Sequence, residues 1–206
     1  MIEAVIFDQG KVRCSSANEA IKQDISQTLE VDIKLVDQLW KELIYEGFGR
    51  GDFNEEEFWR LFYQRSKATK PLPEGESLLV RKMRTLHYTI PGVREICQEL
   101  INKGIKLAIV SNTIPPHAQL ERSLGHYDDI HTIVLSCDND VRSRKPERKI
   151  YKIALDRLDT LPENTLVVDD DENYRDAVIA LGMKWLTFTN ADQLEKDLQS
   201  QILSKK

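Results

Sequence analysis

Four short segments of this chain hold side chains whose types could do chemistry together: Asp8-Gln9-Gly10, Ser111-Asn112-Thr113, Arg144-Lys145-Pro146 and Asp169-Asp170-Asp171. A carboxylate such as Asp8 can act as a nucleophile. A hydroxyl (Ser111) and an amide (Asn112) can hydrogen-bond the oxygens of an anion. A lysine (Lys145) can neutralise negative charge as it develops. Adjacent aspartates repel unless a cation sits among them, and hard oxygen ligands suit Mg²⁺, which takes one or two carboxylates and keeps waters. Together these are the parts of phosphoryl transfer through an aspartyl-phosphate. Singly, each has a plainer reading. Asp8 could be a turn residue or cap, and Ser111-Asn112 a turn or N-cap. Lys145-Pro146 could be an exposed charge before a helix-starting proline, and 169–171 a solvated loop capping the next helix.

What would bring these segments together is an α/β sheet. Short runs at 4–7, 106–110, 132–135, 166–168 and 184–188 are apolar on both faces, as buried parallel strands are. Three of the four segments directly follow such runs, at the edge where open α/β sheets place their sites. Helical stripes fall at 93–102, 116–124, 148–158 and 174–181, with Gly104, Gly125 and Gly182 as stops. Strands alternating with helices predict a doubly wound parallel sheet. The stretch 15–86 differs. It has no convincing strand and shows helical patterns at 17–29, 34–45, 55–65 and 78–86, with Asn54 as an N-cap before three glutamates. The expected organisation is an α/β core from 1–14 and 87–206, split by a helical module at 15–86. A C-terminal amphipathic helix that frays into lysines is expected to pack on the core.

Composition narrows the function classes. The 206 residues are 41% apolar and 31% charged, with net charge −5, which is ordinary for a soluble domain. Nothing basic enough for nucleic acid is present. No run approaches the ~18 apolar residues of a membrane span, and no signal peptide is visible. Cys14, Cys97 and Cys137 have neither Cys-x-x-Cys nor zinc-type spacing. They read as reduced thiols of a cytoplasmic protein, Cys97 as a core residue.

With the four segments in this order, the chain resembles the haloacid dehalogenase superfamily, in its phosphatase-rich branch with a small helical cap. "VIFDQGKV" resembles the first motif, and "TIPGVREICQELINKGIKLAIVSNT" the segment through the second. "RKPERKIYKIAL" resembles the third and "TLVVDDDENYRDAVIALGM" the fourth. The cap stretch "GRGDFNEEEFWRLF" is similar to one in relatives. The resemblance implies Asp8 as nucleophile and metal ligand, Ser111 with Asn112 on the phosphoryl group, and Lys145 stabilising nucleophile and phosphate. It implies Asp169 and Asp170 on Mg²⁺, directly or for Asp169 through water, with the carbonyl of Gly10 as a further ligand. The expected substrate is a small phosphorylated metabolite, such as a sugar phosphate.

The chain also departs from the pattern. Gly10 stands where most family phosphatases carry a second aspartate, the general acid and base, worth ~10²–10⁴-fold. Some sugar-phosphatase-like relatives also carry glycine there. Dehalogenases lack that aspartate too, but they need no metal, and an acidic run would be a liability to them. The alternative is an impaired member that binds or regulates. Lys11, Arg13, Arg142 and Tyr174 are further departures, with Asn173 one position from the usual asparagine. Gln9 and Thr113 are candidate stand-ins for the missing acid, and His87 and Tyr45 possible proton sources at the cap. The loop "GFGRGD", with Arg50, reads as the flexible, substrate-facing part of the cap.

Overall fold

The computed structural model describes residues 1–203. The first strand, β1 (Ala4–Phe7), is buried along its whole length. β2 (Lys106–Ser111), β3 (Thr132–Leu135), β4 (Thr165–Asp169) and β5 (Lys184–Thr187) join it in one five-stranded sheet, ordered β3-β2-β1-β4-β5 and parallel throughout. The predicted strands are all present. β2 and β4 run on to take in Ser111 and Asp169, so two candidate site residues are themselves the last residues of strands. β1 is central, with β2 on one side and β4 on the other. The crevice at its C-terminal end is therefore the switch point at which open α/β sheets place ligands.

Each face of the sheet is covered because successive side chains point to opposite sides. Val5 and Phe7 of β1 face a cluster with Val93, Cys97 and Leu100 of helix α5 (Val93–Asn102) and Leu194 and Leu198 of the C-terminal α9 (Ala191–Leu198). Ala4 and Ile6 face the opposite cluster, with Ile150, Tyr151 and Ala154 of α7 (Arg148–Leu158) and Val178 of α8 (Arg175–Ile179). Helix α6 (Pro115–Ser123) follows β2. The segment expected as one helix over 174–181 is a 3₁₀ turn, Glu172–Tyr174, followed by the short α8. The frayed C-terminal lysines at 205 and 206 lie outside the described residues.

Between β1 and α5 come four helices: α1 (Asn18–Leu29), α2 (Ile33–Glu46), α3 (Glu55–Ser66) and the single turn α4 (Met83–Leu86). Asp32 caps α2 by accepting from the amides of Lys34 and Leu35, and Asn54 caps α3 by accepting from the amide of Glu57 at 2.9 Å; such caps satisfy the first-turn amides that have no partner inside the helix. The expected helix over 78–86 is shorter, with only its last turn α-helical. These helices enclose their own core, built on Ile21, Leu43, Phe48, Phe58 and Phe62, and it continues onto Ile114 and Leu120 around α6. The helical segment thus rests on α6, beside the end of the sheet. Among the described residues, no helix is long and apolar enough to cross a membrane.

Candidate active site

Asp8 is the first residue past β1, and its amide donates to the Val168 carbonyl at 2.9 Å, which extends the β1–β4 ladder by one bond. Because β1 and β4 are in register, Asp8 and Asp169 emerge side by side. Lys145 reaches between them from the loop before α7. Its Nζ is 2.7 Å from Asp8 Oδ1 and donates to Asp169 Oδ2, also at 2.7 Å. The lysine side chain is 2% exposed, Asp169 1% and Asp8 12%. Burial disfavours the charge on Lys145, yet the two carboxylates outweigh it and the lysine is held firmly protonated. Burial raises the Asp8 carboxyl above the usual carboxylate range. Lys145 pulls it down and Asp169 pushes it up further.

One cation therefore serves two buried carboxylates, and a third stands next to them. Asp8, Asp169 and Asp170 can each present an oxygen within 4.8 Å of the other two. The nearest positive charge to Asp170 is Lys11, 3.7 Å away and 67% exposed. Both oxygens of Asp169 are engaged, one by Lys145 and the other by the amide of Asp171 at 3.0 Å. Asp171 accepts from the amide and side chain of Asn173 and lines the same cavity. Of the two carboxylates of the acidic run that cluster with Asp8, then, Asp170 is the less compensated, with one mostly exposed lysine at 3.7 Å. This donor set fits a hard divalent cation that prefers oxygen.

These carboxylates open into a cavity of about 520 Å³ lined from the sheet side by Asp8, Gly10, Ser111, Asn112, Lys145 and Asp170, and from the helical segment by Ser15, Asn18 and Met83. All the predicted site residues except the buried Asp169 line it. Asn112, however, has its side-chain amide committed. Its Oδ1 accepts from the Lys145 amide at 2.8 Å and its Nδ2 donates to the Lys145 carbonyl at 3.0 Å. The side-chain amide clamps the lysine backbone, while Asn112 still lines the cavity beside Ser111. Gly10 has open space where a side chain would stand, with nothing within 4 Å of an added Cβ.

Of the candidate stand-ins for an acid at position 10, Gln9 is engaged by other side chains, and Thr113 lines the cavity with only its backbone bonded. Gln9 is buried, and its Nε2 donates to Glu121 at 2.5 Å and lies 3.2 Å from Cys14 Sγ. The backbone of Thr113 is tied to the Ser136 hydroxyl. Tyr45 is exposed on α2, under the guanidinium of Arg144. The "GFGRGD" loop is firmly packed. Phe48 is fully buried and stacked on Phe53 and Phe58, Arg50 pairs with Glu147, and the loop does not line the cavity. Sequence reasoning missed the part played by Tyr174. Its ring lies 4.9 Å from Lys145 Nζ, a cation–π contact, and its hydroxyl is 3.4 Å from Asn112 Nδ2. Its standing at the position where the resemblance expects an asparagine was the available signal.

Comparison with known proteins follows the geometry. Residues 49–182 match the family model of haloacid dehalogenase-like hydrolases. A phosphorylated carbohydrates phosphatase of Thermotoga maritima is 34% identical over 98 residues, covering 46% of this chain and 43% of that protein, so the match spans less than half of the relative's length. A predicted hydrolase of this fold from Porphyromonas gingivalis superposes with a TM-score of 0.77 at 19% identity, covering 100% of both chains. A Bacteroides thetaiotaomicron enzyme, solved as a magnesium complex, also superposes at 0.77, with 14% identity over 96% of this chain and 98% of that one. With most of its length matched by the family model and the fold shared end to end, this chain belongs to the haloacid dehalogenase-like hydrolases.

Proposed function

We propose that the chain is a Mg²⁺-dependent phosphatase that hydrolyses a small phosphorylated metabolite through a phosphoryl group carried on Asp8. The observation that carries this reading is the ion triad of Asp8, Lys145 and Asp169, which with Asp170 faces a cavity of about 520 Å³. A carboxylate oxygen of Asp8 attacks phosphorus, the ester P–O bond breaks, and the leaving oxygen takes a proton from solvent or from the substrate itself. Water then attacks the acyl phosphate, releasing inorganic phosphate and restoring Asp8. Lys145 keeps Asp8 ionised despite its burial and balances charge on the phosphoryl oxygens. Ser111 donates its hydroxyl to one of them, and Asn112 fixes the lysine's backbone. Asp8, Asp170 and the Gly10 carbonyl would hold Mg²⁺, with Asp169 acting through water. When bound, the ion supplies charge neutralisation at the transferring group.

Residues 15–86 act as the cap over a core of 1–14 and 87–206, since both contribute walls to the cavity and the cap has a hydrophobic core of its own. A sugar phosphate is the favoured substrate class, in line with the name of the Thermotoga relative, a phosphorylated carbohydrates phosphatase. Open space at Gly10 supports a second reading, a binding or regulatory protein that keeps the fold without efficient turnover. The two separate in one experiment. Purified protein is incubated with Mg²⁺ and p-nitrophenyl phosphate, then with a panel of sugar phosphates, beside Asp8→Asn. The enzyme reading expects turnover that falls at least ~10³-fold in Asp8→Asn. Equal rates in both proteins would overturn it.

A further inference from the structure

The cap is joined to the core by two strands of linker that run side by side. Cys14 on the outgoing linker forms a bridge with Thr89 on the returning one. The Ser15 amide donates to the Tyr88 carbonyl and the Ile90 amide to the Arg13 carbonyl, both at 2.8 Å. At this hinge the side chains of Cys14 and His87 converge with His126, which follows α6 in the core. One ligand atom from each lies within 4.8 Å of the others, and Cys14 Sγ is 3.8 Å from His126 Nδ1. This cluster is separate from the carboxylates that face the phosphorylated substrate.

The His87 imidazole supplies an independent pointer. Its side chain is only 3% exposed, yet among the described residues neither ring nitrogen makes a hydrogen bond. Nε2 is 3.2 Å from Glu121 Oε1, but not aligned for a hydrogen bond. The Glu121 carboxylate stands at ion-pair distance from Nε2, but the buried Nδ1 has no partner among the described residues. A ring tilted toward His126, with centroids 5.2 Å apart, beside a thiol is better explained by an acceptor of ring lone pairs than by packing. Zinc is such an acceptor. With Zn–S near ~2.3 Å and Zn–N near ~2.0 Å, a tetrahedral ion needs sulfur and nitrogen about 3.5 Å apart. The Cys14–His126 spacing of 3.8 Å is within a few tenths of an ångström of that, and His87 has a ring nitrogen within 4.8 Å of both.

We propose that Cys14, His87 and His126 form a binding site for Zn²⁺ or a similar borderline-soft transition ion, which clasps both cap linkers to the core. With Nδ1 on the metal, a small turn of the ring would bring Nε2, 3.2 Å from Glu121 Oε1, into line with the carboxylate partner that orients a ligating imidazole. On binding, the Cys14 thiol gives its proton to solvent and Sγ takes the metal as thiolate. A fourth position is left for water. Access exists from two sides. His87 and Glu121 are in the wall of the large cavity, while Cys14 and His126 line a smaller one of about 200 Å³. The Asp8 group, made only of oxygen donors, selects a different class of ion, so one chain holds a hard site and a soft one. The inference stands whether or not the protein proves to be a phosphatase.

The test is a Co²⁺ titration of the full chain, reduced and in excess Mg²⁺, read by the thiolate-to-cobalt charge-transfer absorption and then by displacement with Zn²⁺. One equivalent should produce the band, and Zn²⁺ should abolish it. Asp170→Asn and Cys137→Ser should keep it, and Cys14→Ser should lose it. His126→Gln, which leaves the thiol in place, should weaken binding at least ~10-fold and covers the case in which Cys14→Ser fails to fold. Hydrogen exchange at the Ser15 and Ile90 amides should slow when Zn²⁺ is added. No band in the wild type, a band unchanged in both Cys14→Ser and His126→Gln, or a band that disappears with Cys137→Ser would each overturn the site. Unchanged exchange at the linker amides despite binding would overturn the clasp.

Discussion

If Asp8 carries the phosphoryl group as proposed, Gly10→Asp should speed turnover. A Cβ added at Gly10 meets no atom within 4 Å, and the residue is not among those with φ in the left-handed region. An L side chain is therefore accommodated without strain, and losing a glycine removes about 0.4–1 kcal/mol of unfolded-chain entropy. The new carboxyl would face the same cavity as Asp8 and Asp170. Neighbouring negative charge raises a carboxyl's pKa, which suits a group that must first give a proton to the leaving oxygen and later take one from water. Positioned general acid–base catalysis is worth ~10²–10⁴-fold, or about 3–5 kcal/mol off the barrier. The gain depends on the leaving group. p-Nitrophenolate leaves readily without a proton, whereas a sugar alkoxide does not. The assay is kcat with saturating Mg²⁺ for p-nitrophenyl phosphate and for an alkyl or sugar phosphate, wild type against Gly10→Asp. The expected result is a gain of at least ~10²-fold on the alkyl ester and a much smaller one on the aryl ester. An equal gain on both, or none on either in a folded, Mg²⁺-binding variant, would refute the view that position 10 is where the missing acid belongs.

Lys145→Met leaves Asp8 and Asp169 buried without their shared cation. At 2.7 Å each contact is worth about 6 kcal/mol at an effective dielectric of 20, most of it offset by desolvation, so the net loss should be about 3–5 kcal/mol in denaturant melts at neutral pH with EDTA present. Asp8 already sits above its unfolded pKa, and losing Lys145 raises it further. A carboxyl raised on folding stabilises below its unfolded pKa and loses that contribution as pH rises through the folded one, so the variant's deficit should shrink toward about pH 5; a deficit independent of pH would count against the triad. His117 is buried with its Nε2 2.8 Å from the Leu79 carbonyl, and burial lowers its pKa to about 4. A depressed histidine stabilises fully above its unfolded value of ~6.5 and loses that contribution as pH falls, so wild type should give up about 2 kcal/mol of stability relative to His117→Gln between about pH 7.5 and 5. Gly51→Ala puts a Cβ 2.3 Å from the Cys137 carbonyl oxygen at φ +68° and should cost about 2–4 kcal/mol by thermal or urea unfolding; a neutral result would mean that the loop can move away from the core.

The elements were legible because they rest on local patterns. Ala4–Phe7, Thr132–Leu135, Val93–Asn102 and Arg148–Leu158 have the bounds their apolar periodicity predicts. Where local pattern and tertiary demand part, the expectation slipped. Leu78 and Leu79 repeat like a helix but are buried in the cap core from a turn. The partners of Gln9 were out of reach because Glu121 lies 112 positions away and carries no motif. Asn112 was expected on an anion because amides suit one, but its amide is the length needed to span the Lys145 peptide, and both of its ends are used there.

The glycines show why a letter alone under-determines a site. Those in "GFGRGD" suggested looseness, yet Gly49 lets Arg144 pass where a Cβ would lie 1.9 Å from its Nη1, and Gly51 admits a carbonyl from the core. Both are glycine because something is close. Gly10 is the reverse, with nothing within 4 Å of an added Cβ. A missing side chain is a packing requirement in the first two cases, and substitution there should weaken the fold. In the third it is an absent chemical group, and substitution should change the reaction and leave stability nearly untouched. The three positions are equivalent in composition; the distance to the nearest non-neighbour atom and, at Gly51, a φ of +68° separate them. That distance is also why the doubt raised by Gly10 concerns proton transfer and does not extend to the Asp8–Lys145–Asp169 triad, whose contacts are complete without a side chain at position 10.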